Sequence, residues 1–222
     1  STVSKLLIKE SVPKYVKEET LDNIRLGKDY ILLPSDRDGF MQLYLYSGTG
    51  TLKRKIGDGK FDITNVYGVD EKTGDVYYQA AALNAHDRQI YVSHTNGKVE
   101  RLTNQEGWNT AIFSGDYQYF VNTWSDYNTP YVYTTRKSDG KIIATNVDNH
   151  ELKAKTQQYG WSKREAFSFT TSEGIKLDGW IVKPAQFNAS KKYPVIMYQY
   201  SGPGSQQVIN SWSAGAMGQG GA

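Results

Sequence analysis

Few side chains in this sequence have the type and spacing that covalent chemistry needs. Cysteine is absent, which removes thiol catalysis, disulfides and thiolate metal sites. His86, His94 and His150 are the three histidines; none has a partner at metal-ligand spacing, and each reads as a surface residue of a hairpin or connection. No Gly-x-Ser-x-Gly elbow, the sharp turn that presents a nucleophilic serine, occurs. Asp36, Arg37 and Asp38 form a charged turn whose ordinary state is solvated. Gly218-Gln219-Gly220-Gly221 lacks the lysine and the preceding strand of a phosphate loop. Asn188-Ala189-Ser190 is a formal glycosylation sequon, meaningful only in a secreting eukaryote. What remains is Tyr200, a phenol at the end of the run Val195 to Tyr200 and just ahead of Gly202-Pro203-Gly204. On position alone it reads as a packed aromatic at a strand end, and the glycines as a tight turn.

The elements that must hold these residues repeat along the chain. Gln42 to Ser47, Gln89 to His94 and Tyr131 to Thr135 are alternating runs, each followed by a polar turn with Gly50, Gly97 or Gly140. A second run follows each turn: Thr51 to Lys55, Lys98 to Leu102 and Lys141 to Thr145. This is a hairpin pattern. A strand precedes each hairpin, at Asp29 to Leu33, Asp75 to Gln79 and Gln118 to Asn122, and a further one lies upstream at Leu21 to Arg25, Asn65 to Val69 and Thr110 to Ser114. The spacing from Leu43 to Ile90 to Val132 is 47 and then 42 residues. Four strands per 40–50 residues is the period of a propeller blade, and about three blades fill residues 18–148. A β-sandwich with evenly spaced strands is the alternative.

After residue 148 the rhythm changes. Asn149 to Tyr159 reads as a short helix capped near Asp148 or Asn149. Glu165 to Thr170 and Lys176 to Val182 read as a hairpin across Glu173-Gly174, ended by Pro184. Val195 to Tyr200 is apolar without clean alternation, as expected of a strand buried on both faces. The sequence thus divides into residues 1–150, propeller-like, and 151–222, α/β-like.

Composition sets the outer limits. The chain has 222 residues, 38% hydrophobic and 22% charged, in the range of a folded domain and outside that of a disordered one. Its 17 Tyr, 7 Phe and 5 Trp favour strands and large packed sheet faces. A net charge of +3, scattered along the chain, makes no nucleic-acid footprint. No apolar run approaches the ~18 residues of a membrane span, and the first residues do not form a signal peptide. Both ends read as cuts within a longer protein.

The segment Lys191-Lys192-Tyr193-Pro194-Val195-Ile196-Met197-Tyr198-Gln199-Tyr200-Ser201-Gly202-Pro203-Gly204-Ser205-Gln206 resembles the prolyl oligopeptidase clan and, within it, the dipeptidyl peptidase IV family. Its marks are a Tyr-Pro-apolar strand ending in Tyr-Ser-Gly-Pro and then a Ser-Gln pair. Ser35-Asp36-Arg37-Asp38-Gly39-Phe40, Gly68-Val69-Asp70 and Asn128-Thr129-Pro130 resemble the family's blades, and Phe167 to Thr170 with Asp178-Gly179-Trp180 its opening hydrolase hairpin. The resemblance implies a mainly β fold: the last blades, about three, of a β-propeller, followed by the first strands of an α/β-hydrolase domain. It implies a serine exopeptidase that releases N-terminal dipeptides ending in Pro or Ala, with no metal and no organic cofactor. Its partner would be a peptide with Pro or Ala at the second position, with no nucleic acid and no membrane segment. A homodimeric parent and a periplasmic or secreted location are compatible with it. Tyr200 would be the phenol that donates to the oxyanion. Two departures stand out: the nucleophile elbow and the glutamate pair that holds the substrate amine are not recognisable in this chain, so the chain itself is expected to be inactive. An acylaminoacyl peptidase or oligopeptidase on the same architecture, and a propeller that only binds a partner, are the rival readings.

Overall fold

The computed structural model describes residues 4–12, 16, 23–200, 202 and 204–212. Three four-stranded antiparallel sheets follow one another along the chain, each a simple meander. The first holds β1 (Arg25–Leu26), β2 (Tyr30–Ser35), β3 (Gln42–Ser47) and β4 (Leu52–Ile56). The second holds β5 (Ile63–Val69), β6 (Val76–Ala80), β7 (Gln89–Ser93) and β8 (Val99–Arg101). The third holds β9 (Trp108–Phe113), β10 (Tyr119–Ser125), β11 (Val132–Lys137) and β12 (Ile142–Val147). These are the blades that the period predicts, and they exclude the sandwich. Of the expected first outer strand, Leu21 and Asp22 lie outside the described residues.

The sheets are held face to face by side chains that alternate along each strand. Leu32, Leu43 and Ile56 of the first sheet pack on Ile63, Val76 and Tyr78 of the second. Tyr77, Ile90 and Val92 on the other side of the second sheet pack on Ala111 and Phe120 of the third. A polar device repeats with the blades. Gln42 and Gln89, each at the start of its blade's third strand, are fully buried. The Gln42 Nε2 donates to the Met41 and Phe61 carbonyls, and its Oε1 accepts from the Gly59 N–H. The Gln89 Nε2 donates to the Gln105 carbonyl, and its Oε1 accepts from the Thr103 hydroxyl at 2.6 Å. Each glutamine thus satisfies the backbone of the connection to the next blade, which otherwise would leave buried polar groups unpaired.

Beyond the sheets, α1 (His150–Gln158) starts at Asn149 as expected, and β13 (Arg164–Thr170) pairs with β14 (Lys176–Val182). Phe167 faces Gly179 across the hairpin, where an added Cβ would lie 2.6 Å from its ring; the glycine of Asp178-Gly179-Trp180 makes room for that aromatic. The expected strand at 195–200 is not formed. These residues have no regular structure, and Ile196 is 98% exposed. An apolar strand of this kind is stable only with hydrogen-bonded neighbours on its edges and layers on its faces, and the described residues supply neither there.

Candidate functional site

Tyr200 is 60% exposed among the described residues. Its ring folds back over Gly202: a Cβ on that glycine would lie 2.8 Å from the phenolic oxygen and 2.9 Å from Cε1. The absence of a side chain at 202 is what lets the phenol sit there. The turn is closed by the Ser205 N–H donating to the Gly202 carbonyl at 3.0 Å, and Gly204 takes φ +76°, a conformation that suits glycine. Ser201 and Pro203 lie outside the described residues, as do Gly218 to Gly221.

The stretch after this turn has no regular structure, yet it is laced to two propeller connections. Gln206 and Asn210 reach the β6–β7 connection. The Arg88 Nη2 donates to the Gln206 Oε1 at 2.6 Å, and the Gln206 Nε2 donates to the Ala85 carbonyl. The Asn210 N–H donates to the His86 carbonyl, and its Nδ2 donates to the Asp87 carboxylate at 2.8 Å. The third blade holds the other side. The Tyr127 N–H donates to the Asn210 Oδ1 at 2.9 Å, Ser125 and Ser211 hydroxyls meet at 3.1 Å, and the Tyr131 hydroxyl donates to the Trp212 carbonyl. Burial pushes the Tyr127 phenol up to about 12, so it stays neutral at ordinary pH. An open cleft of about 360 Å³ lies beside this junction, between α1 and the Asp126–Thr129 turn.

The hairpin β13–β14 meets the same connections. Asn128 exchanges two hydrogen bonds with the Arg164 backbone, at 2.9 and 3.0 Å. The Arg164 guanidinium lies 5.1 Å from the Trp180 ring, a cation–π contact. His86 Nδ1 stands 3.6 Å from the Asp178 carboxylate. His86 is therefore a half-buried junction residue, contrary to the surface position expected of it. His94 is likewise half-buried and hydrogen-bonded to Asp75 at 2.9 Å, while His150 is exposed beside Asp148. Among the described residues no three His, Asp or Glu side chains come together as a metal site.

The charged turn 36–38 is also more than solvated chain. Arg37 lies 4.1 Å from the centre of the Tyr44 ring, donates to the Tyr46 hydroxyl at 3.1 Å and pairs with Glu10. Asp38 accepts from Lys55 and from the Tyr44 hydroxyl at 2.7 Å, and these hydrogen bonds hold its carboxyl below the usual range. The sheet's aromatic face supplied the partners that a local reading cannot see. The network lies on the first sheet and includes no residue of the Tyr200 turn.

Sequence reasoning marked Tyr200 and its glycines but missed Arg88, Asp87 and Asn210. The Ser205-Gln206 pair was visible as a motif, without a role. Hydrogen-bonding residues in connections carry no period, and Arg88 and Gln206 are 118 positions apart.

The chain resembles known proteins over most of its length. Residues 1–131 match the family described as the dipeptidyl peptidase IV (DPP IV) N-terminal region. Curated proteins named dipeptidyl peptidase 4 from Trichophyton equinum and Arthroderma otae are 30% and 31% identical over 193 residues, 85% of this chain. The chain spans about a quarter of the length of these relatives, 25% in both. The crystal structure of Porphyromonas gingivalis dipeptidyl peptidase 4 superposes with a TM-score of 0.91 at 36% identity, covering 96% of this chain and 30% of that one. A putative dipeptidyl aminopeptidase IV from Bacteroides ovatus, at 22% identity and TM-score 0.76 over 92% of this chain and 32% of its own, shares the fold.

Proposed function

The chain belongs to the dipeptidyl peptidase IV family, and from that premise we propose that it is an interior piece of a serine exopeptidase that releases N-terminal Xaa-Pro and Xaa-Ala dipeptides. Residues 1–150 are blades of its propeller, and residues 151–222 open its α/β-hydrolase domain. Tyr200 donates its phenolic proton to the oxyanion that forms when the scissile carbonyl is attacked. The observation that supports this reading is the phenol on a glycine turn tied to propeller connections, in a chain that is alike over 96% of its length to Porphyromonas gingivalis dipeptidyl peptidase 4. The nucleophile comes from outside these residues, since no Gly-x-Ser-x-Gly turn occurs in them.

The test compares the 222-residue chain with the full-length protein that contains it. The full-length protein should hydrolyse Gly-Pro and Ala-Pro chromogenic substrates and take up a serine-directed phosphonate. The chain alone should do neither, because no activated nucleophile is present. Stoichiometric labelling of a serine in the isolated chain refutes the assignment. A full-length protein inert to both substrates turns the reading towards a propeller that only binds.

A further inference from the structure

We propose that Arg88, on the second propeller blade, is a positioning residue for the Tyr200 turn and acts through the side-chain amide of Gln206. The inference rests on the oxyanion reading of Tyr200.

Arg88 is 6% exposed and is held by the blade through its Nη1 and its guanidinium face, while its Nε is buried without a hydrogen-bond partner among the described residues. Its guanidinium lies 4.4 Å from the centre of the Trp108 ring. Its Nη1 donates to the Ala85 carbonyl at 2.9 Å and to the Asp87 carbonyl at 2.8 Å. A flat cation stacked on an indole and bonded to two carbonyls has little freedom left. Its Nη2 leaves the blade and donates to Gln206 at 2.6 Å. A charge-assisted hydrogen bond of this kind is among the stronger ones in proteins.

Gln206 is fixed at both ends of its amide. The oxygen accepts a hydrogen bond from the Arg88 Nη2, while the nitrogen donates to the Ala85 carbonyl and to the Val208 carbonyl. Rotating the amide by half a turn would set its NH2 against the guanidinium and its oxygen against two carbonyls, so one orientation alone is favourable. Gln206 directly follows Ser205, whose N–H closes the turn onto the Gly202 carbonyl. Gly202 is the residue over which the Tyr200 phenol lies. A chain of short contacts thus runs from Trp108 through Arg88 and Gln206 to the turn beneath the phenol.

The geometry separates this role from general anchoring. Asn210, Ser211 and Trp212 are tied independently to Asp87, Ser125, Tyr127 and Tyr131. Loss of the Arg88–Gln206 bond therefore leaves Gln206 with the Ala85 carbonyl as its one remaining hydrogen bond to the blade, loosening the turn while the far end of the segment stays docked. The phenol would keep its chemistry and lose its aim. Misplacement of a catalytic group by about 1 Å can cost on the order of 100-fold in rate.

The experiment is a double-mutant cycle in the full-length peptidase, read as kcat and KM on a Gly-Pro chromogenic substrate. Arg88→Met and, separately, Gln206→Leu should each lower kcat by about 10- to 100-fold with KM changed much less. Arg88→Lys, which restores one donor without the flat fork, should recover part of the loss. In a Tyr200→Phe background neither substitution should lower kcat further, since there is no hydroxyl left to aim. Gln206→Leu carries the test if Arg88→Met fails to fold. Full kcat in Gln206→Leu, or losses that multiply with that of Tyr200→Phe, overturn the positioning role while leaving Tyr200 in the site. A kinetically silent Tyr200→Phe overturns both readings.

Discussion

Replacing Tyr200 by Phe removes one oxygen and leaves the ring. The change removes no ring atom, and the hydroxyl lies 2.8 Å from where a Cβ on Gly202 would be, with Tyr200 60% exposed among the described residues. Surface changes of this size usually stay within about 0.5 kcal/mol of the parent stability. At roughly 2–4 °C per kcal/mol for a domain of 150–250 residues, the thermal midpoint should move by no more than about 2 °C. The kinetic effect should be far larger. Loss of one donor to an oxyanion typically costs about 10²–10³ in kcat, or roughly 3–4 kcal/mol. The loss should fall on kcat and spare KM, because the donor matters most once the carbonyl oxygen is anionic. Gly202→Ala supplies an orthogonal perturbation. Its new Cβ would lie 2.8 Å from the phenolic oxygen, too close to coexist, and the free end of an exposed side chain is the part that yields. The alanine should therefore lower kcat by displacing the phenol and should add little on top of Tyr200→Phe. Both variants are to be assayed in the full-length protein, with kcat, KM and the thermal midpoint measured on one preparation. Unchanged kcat in Tyr200→Phe refutes the reasoning, whatever the midpoint does.

Three further outcomes concern the scaffold. Phe120 is 1% exposed between the second and third sheets, with its ring 4.8 Å from that of Phe113; Phe120→Ala should cost about 3–5 kcal/mol in urea unfolding, and a loss below about 1 kcal/mol would mean that the two sheets do not pack as described. Gly97 and Gly140 occupy equivalent turns with φ +86°, but an added Cβ meets nothing at Gly97 and lies 2.4 Å from the Leu102 carbonyl oxygen at Gly140; both alanine variants pay roughly 1–2 kcal/mol for the left-handed backbone, and only Gly140→Ala should exceed it. The hydrogen bond to the Asp148 carboxylate, with the charge behind it, raises the His150 imidazole above its ordinary pKa; the imidazolium is fully formed below that ordinary value, pairs with Asp148 while that carboxyl is ionised, and is lost as pH rises through the raised value, so Asp148→Asn should lower the NMR titration midpoint of His150, and an unmoved midpoint refutes the pairing.

What could be read from the residues alone was what is local. A hairpin turn needs a glycine at one position, and Gly50, Gly97 and Gly140 supplied it at a near-constant period with alternating runs on either side. The buried glutamines recur in two of the three repeats: Gln42 and Gln89 open the same strand in successive blades, while the third blade has Val132 there. The expected strand at 195–200 failed for the opposite reason. Its apolar sequence specifies burial but no partner, and whether such a run becomes a strand depends on neighbours that it does not contain. The junction escaped because it is built from single side chains far apart in sequence, each ordinary in its own context. Arg88 follows Asp87 in a polar connection and could as well have been a solvated charge.

This division bears on how the site works. If the Tyr200 segment folded by its own propensities, its geometry would be set within residues 195–212, and the propeller would be a passive wall. The hydrogen bonds say otherwise. Residues 206–212 make no ladder of their own, and they are held through bonds to Ala85, His86, Asp87 and Arg88 on one blade and to Ser125, Tyr127 and Tyr131 on the next. Those connections are in turn fixed by sheets whose mutual packing buries Tyr77, Ile90 and Phe120. A rigid element that positions a reacting group can be remote from it in sequence, provided each contact between them has one favourable arrangement. On the oxyanion reading of Tyr200, the blades would add precision to the turn through these bonds. Substitutions that loosen the second blade against the third should accordingly reach the phenol through its anchors, lowering kcat by more than the lost stability alone would predict.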